Sequence, residues 1–264
     1  MSFWYSNTDD RTGSWHWIGV AIGLSQALGL NRNPDTTRTN WQISDAQRRL
    51  WRRIWWTCLL RDRWVSFIVG RPLRINLEDC YITMPSKEDV IAELGEIPAI
   101  ERAKYSISDS FDLAECWVKL VKLSIALGKI LKVNSNPNGV FPVSAEVELR
   151  DQELLSLLNS SSTKGSVKKR TEIVEFHRCQ FQLHYEYVLF QKYCMAPSDN
   201  KLPRASIIVL YRPYLDGIVN STLATERVLQ STAKQKVRDA TASTHSLLDN
   251  IVATDMVPFL GPMT

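Results

Sequence analysis

The chain has 264 residues, 44% of them hydrophobic and 23% charged, and carries a net charge of +4. That length suits one large domain or two small ones, the composition is that of a globular chain with a substantial core, and so mild a charge does not mark a nucleic-acid binder. The five cysteines (Cys58, Cys80, Cys116, Cys179 and Cys194) are widely spaced with no CxxC, which argues against a disulfide framework and a structural zinc site and fits a reducing compartment. No apolar run reaches the ~18–20 residues of a membrane span, and the opening MSFWYSNTDD lacks a signal-peptide layout, so a soluble intracellular chain is expected.

In chain order, Ser14 to Leu30 places Trp15, Ile18, Ala21, Ile22, Leu24 and Leu28 on a helical stripe, with Gly29, Asn31 and Pro34 as stop signals. Ser44 is an N-cap with Gln47 completing a capping box and Asp45 in the positive first turn. From there Leu50, Ile54, Trp55, Cys58 and Leu59 fall on one face of a helix running to Val69, where Gly70 suits the left-handed C-terminal position and Pro72 cannot continue the helix. Residues 73–88 read as an extended, turn-rich loop passing Pro85.

A second long helix runs from Ser108 or Ser110 to Val133, and Asn134 to Gly139 is a loop. Ser144 to Asn159 is a shorter amphipathic helix, followed by the linker Ser160 to Gly165 and by Lys168-Lys169-Arg170 at the next helix start. His177 to Tyr187, Ala205 to Pro213 and Thr232 to Ala253 also read as helix, although Ile207 to Leu210 alone is ambiguous with a strand. The predicted fold is all-α, a multi-helix bundle or irregular helical array forming a single domain over 1–264.

Residues 48–85, RRLWRRIWWTCLLRDRWVSFIVGRPLRINLEDCYITMP, hold four Trp, a block of Arg, an Arg-Asp-Arg and then Gly70-Arg71-Pro72. This stretch resembles the hallmark segment of the fungal-specific transcription factor domain, the middle homology region of zinc binuclear-cluster transcription factors. The hallmark positions are Arg48, Arg49, Trp51, Trp55, Trp56, Asp62, Arg63, Gly70, Arg71, Pro72, Asp79 and Pro85. Upstream, DDRTGSWHWIGVAIGLSQALGLNRNP from Asp9 to Pro34 is similar to the helix and turn that precede the hallmark in that family. Its members run from an aromatic His-Tyr-like segment directly into Leu-Tyr-Arg-Pro. Here Leu189 to Arg204 intervenes with two prolines, Pro197 and Pro203. It reads either as a surface loop or as a retained intron, because loops of this length without structure are uncommon inside compact domains.

The Arg block (Arg48, Arg49, Arg52, Arg53, Arg61, Arg63, Arg71, Arg74) has two readings: a phosphate-binding face with Trp for base stacking, or Arg stems covering apolar surface around a Trp core. With no recognised DNA-binding motif beside it, no DNA-binding residue is assigned in this chain. Arg48/Arg52 and Arg49/Arg53 are like-charge i,i+4 pairs, so carboxylate partners are needed, with Asp62, Glu78 and Asp79 the nearest in sequence. A buried Asp62 is expected to pair with Arg71 or another Arg. Gly70-Arg71-Pro72 is a helix stop; a phosphate-cradling loop would need further glycines.

His177 and His184 lie two turns apart with Glu175 or Glu186 nearby, but HEXXH-type and Cys/His spacing are missing. Asp9-Asp10 lacks the further Asp of a cation-bound diphosphate site. No catalytic or metal residues are assigned, and an all-α enzyme is the most distant reading. The resemblance implies a nuclear regulatory domain, a fragment shortened at both ends. Zinc would be held only by an N-terminal six-cysteine cluster that lies outside these residues, and DNA would be reached only through that domain. A small-molecule effector or coregulator protein is the implied partner, and no membrane. The alternative is a stand-alone helical ligand-binding or protein-interaction module.

Overall fold

Among the residues described by the computed structural model (13–33, 43–102, 109–134, 144–159, 171–190 and 224–255) every regular element is helical. The long helices are α1 Gly13–Ala27, α2 Asp45–Val69, α5 Ser110–Asn134, α6 Ser144–Asn159, α7 Glu172–Phe190 and α8 Ala224–Ala253. Two short helices, α3 Glu88–Ile91 and α4 Ala99–Arg102, and 3-10 turns at Leu77–Asp79 and Ala92–Glu96 fill the stretch after the hallmark. Asp9-Asp10, Ala205 to Pro213 and residues 191–204 of the intervening segment lie outside the described residues; α7 itself includes Leu189 and Phe190.

The chain divides into two compact units, one of residues 1–124 with 170–174, the other of residues 125–169 with 175–264. The division falls within α5, between Ser124 and Ile125. In the first unit, α2 is held at both ends by the caps its sequence specifies. The Gln47 N–H donates to Ser44 Oγ at 3.3 Å and the Ser44 N–H to Gln47 Oε1 at 3.0 Å. At the far end Gly70 is left-handed (φ 64°), and the Arg71 N–H reaches back to the Ser66 carbonyl at 3.0 Å. Helix α1 ends the same way, with Gly29 at φ 72° and the Leu30 N–H on the Ser25 carbonyl at 2.9 Å.

From Trp55 to Phe67 only Thr57 is exposed, so α2 is buried on all sides through its second half. The chain accommodates this by satisfying its polar groups: Trp56 Nε1–H donates to the Thr83 carbonyl, and Trp64 Nε1–H to Ser124 Oγ on α5, both at 2.9 Å. Ile18 and Ile22 of α1 are buried, and Ser25 meets Cys58 of α2 at 3.6 Å. Two predicted stripes need correction. Leu24 and Leu28 are 62% and 68% exposed, and Leu50 and Ile54 are 45% and 39% exposed. The buried face of α1 is instead Ser14, Ile18, Ile22 and Ser25, and α2 begins to bury at Trp55.

In the second unit, Leu127 and Ile130 of α5, Leu154 of α6, Leu183 of α7 and Ala233 of α8 are all but inaccessible to solvent. Lys236 pairs with Asp151 at 2.9 Å, and the Ser243 hydroxyl donates to the buried Glu186 at 2.8 Å. Burial pushes the Glu186 carboxyl above its ordinary value, opposed by hydrogen bonds from Ser243 and Gln182.

Candidate functional site

The hallmark folds back on itself. Asp62 and Arg63, both essentially without solvent exposure, form a salt bridge of 2.6 Å within α2. The carboxylate also accepts the N–H of Arg74 at 3.1 Å and that of Ile75 at 3.1 Å, and Arg63 Nη2 donates to the Ile75 carbonyl at 2.9 Å. One ion pair therefore clamps the segment after Gly70-Arg71-Pro72 against the middle of the helix. Burial pushes the Asp62 carboxyl up, opposed by the Ile75 N–H, the Arg63 charge and the Arg74 N–H. Burial likewise pushes Arg63 down, opposed by the Asp62 charge. The partner of Asp62 is its neighbour Arg63, and Arg71 takes no part in the pair.

Arg71 sits instead with Arg74 on the indole of Trp15, their guanidinium carbons 4.4 and 3.4 Å from the ring centroid. Arg74 Nη2 donates to the Trp15 carbonyl at 3.4 Å. It crosses α1 over Gly19, where a Cβ would lie 2.6 Å from Arg74 Nη1. The turn after α2 is thus fastened to α1 as well. Pro72 offers its carbonyl to the Ser66 hydroxyl at 3.2 Å. Asp79 accepts Asn76 Nδ2 at 3.2 Å, and the Tyr81 N–H reaches the Asn31 carbonyl at 2.9 Å, which ties the end of the hallmark to the α1 turn. Pro85 is buried.

Of the hallmark tryptophans, Trp55 and Trp56 are buried and Trp51 is half-buried. The arginines of the first turns do find carboxylates, further along than expected: Arg52 is bidentate to Asp89 of α3, closest at 2.6 Å, and Arg53 reaches Glu93 at 2.6 Å. Arg48 donates to the Ile43 carbonyl at 3.2 Å, with Asp45 at 3.9 Å, and Arg49 is half-buried. Asp89, Glu93, Trp15 and Ile75 were missed as members of the site. The like-charge pairs signalled that carboxylates were needed but could not say that α3 and the 3-10 turn after it, beyond Pro85, supply them. No group of three His, Cys, Asp or Glu among the described residues could hold a metal ion. His177 Nδ1 and His184 Nδ1 are taken up by Gln180, through its side chain at 3.2 Å and its carbonyl at 2.6 Å.

The profile of the fungal specific transcription factor domain matches residues 1–203. The chain belongs to this family. Its relatives include cutinase transcription factor 1 beta of Fusarium vanettenii, 34% identical over 50% of this chain and 15% of that protein. The acetamidase regulatory protein of Aspergillus oryzae is 36% identical over 62% of this chain and 23% of its own length. That of Emericella nidulans is 39% identical over 29% of this chain and 9% of its length. The chain therefore spans less than a quarter of any of these relatives. No solved structure matches it. The family assignment makes this chain a fungal transcription-regulator domain. No described helix is long and apolar enough to cross a membrane.

Proposed function

We propose that this chain is the regulatory module of a nuclear fungal transcription factor and modulates an attached DNA-binding domain. The observation that carries the reading is the family match over residues 1–203, which takes in the whole clamp around Asp62 and Arg63. Zinc and sequence-specific DNA contacts belong to a six-cysteine cluster elsewhere in the parent protein, and these residues need no cofactor of their own. The clamp ties the segment after α2 to the middle of that helix. Regulation then follows if a small-molecule effector or coregulator binds one packing of the helical body better than another, since only differential affinity shifts a population.

The test is a fusion of residues 1–264 to an unrelated DNA-binding domain, read on a reporter. Output should differ from that of the DNA-binding domain alone, and D62A should abolish the difference. Equal output with and without the chain, together with no in-frame six-cysteine cluster upstream in the gene, would instead favour a stand-alone interaction module. The chain by itself should bind DNA weakly and without sequence preference. Specific recognition is typically ~10³–10⁷ tighter than non-specific binding and requires side chains positioned on base edges. A titration at physiological salt against a family-type half-site and a scrambled duplex checks this, and a preference of about tenfold or more would overturn it.

A further inference from the structure

We propose that Arg71 and Arg74 form a binding site for a small, multiply charged oxyanion, a phosphate or a polycarboxylate, on the Trp15 indole. Arg52, Arg53 and Arg63 are each spent on a carboxylate. Arg71 and Arg74 differ: their side chains meet Trp15, and no carboxylate among the described residues pairs with them. With both guanidinium carbons within 4.4 Å of one ring centroid, the two charges stand within ~8 Å of each other, where they repel. An oxyanion bridging two guanidinium forks relieves that repulsion and uses donors the indole leaves unused.

The surroundings add positive potential. Trp15 lies in the first turn of α1, which carries no acidic residue, and a helix N-terminus disfavours cations and favours anions. Gly19 lets Arg74 lie flat against α1, because any larger residue would press on its guanidinium at 2.6 Å. The backbone of Arg74 is meanwhile fixed by Asp62, so the fork is held from its root. Ligand charge at this point would act directly on the joint between α1 and the turn after α2. The proposal rests on the regulatory reading above and names the class of effector for it.

The test is a titration of the purified full chain, followed by tryptophan fluorescence and calorimetry, with sodium phosphate and sodium citrate in separate arms and sodium chloride at matched ionic strength. Either anion should bind saturably, and the stronger arm identifies the source chemistry. R71Q/R74Q should lose at least ~tenfold in affinity, the value of one charge-assisted contact or more. G19A keeps every charge and favours the helix, yet displaces Arg74, so it too should weaken binding while circular dichroism is unchanged. Binding equal in all variants, or no stronger than that of chloride, would overturn the site. So would a response to duplex DNA but to neither small anion. Binding that emerges only in D9N/D10N would assign the arginines to the chain's own acidic pair and likewise reject the proposal. The titration reads binding alone, so its failure is separate from a failure of the reporter test.

Discussion

At Asp62 one carboxylate does three jobs: it neutralises Arg63, accepts the Arg74 N–H and accepts the Ile75 N–H. Replacing it by Ala leaves a buried guanidinium uncompensated and two backbone donors unmet. D62A should therefore destabilise by about 3–5 kcal/mol in urea melts, as when one partner of a buried pair is removed. D62N keeps an oxygen for the two N–H groups and should cost less than D62A. A loss below about 1 kcal/mol for D62A would mean that the clamp contributes little. Trp55, 0% exposed, offers an independent measure of the same core, with W55A expected to cost about 3–5 kcal/mol. What was legible from sequence at this scale was that Asp62 needed an Arg. That its partner is the adjacent Arg63 was not, because residues i and i+1 point in different directions on a helix, and only the returning chain at Ile75 brings the two side chains to one spot.

Whole elements were more legible than their buried faces. The capping box at Ser44 and the left-handed Gly70 delimit α2 by local chemistry, so both ends could be read without tertiary information. S44A should cost about 1 kcal/mol, read as a lowered urea midpoint at unchanged slope. The exposed Leu24, Leu28, Leu50 and Ile54 show the other side: periodicity identifies an apolar row, but which row is covered depends on elements far away in sequence. The joint between α3 and α5 has a pH signature. Burial raises the Glu115 carboxyl, but hydrogen bonds from Lys119 and Lys87 outweigh it, leaving the pKa below the ordinary 4.5. A carboxylate with a lowered folded pKa stabilises fully above its unfolded value and loses that contribution as pH falls through the folded one. E115Q should therefore lose less than about 1 kcal/mol at pH 7, the pair being partly solvated, and should flatten the decline in stability below pH 4.5. Parallel pH profiles for the two proteins would exclude Glu115 as a contributor.

For the molecule as a whole, the two compact units differ in a way the sequence makes measurable. Every tryptophan, from Trp4 through Trp15, Trp17, Trp41, Trp51, Trp55, Trp56 and Trp64 to Trp117, lies in the unit of residues 1–124 and 170–174. The other unit has none. Tryptophan fluorescence therefore reports on the hallmark unit alone, whereas far-ultraviolet circular dichroism reports on both, since α6, α7 and α8 all lie wholly or largely in the second. The hallmark unit holds the Asp62 clamp, the Trp56 and Trp64 hydrogen bonds and two Arg–carboxylate pairs. The second unit holds the buried Glu186, which accepts from the Ser243 hydroxyl. Because the clamp lies in the hallmark unit, D62A in a urea series should shift the fluorescence transition more than the circular dichroism transition. Coincident transitions, with equal shifts in D62A, would show that the two units unfold as one cooperative body.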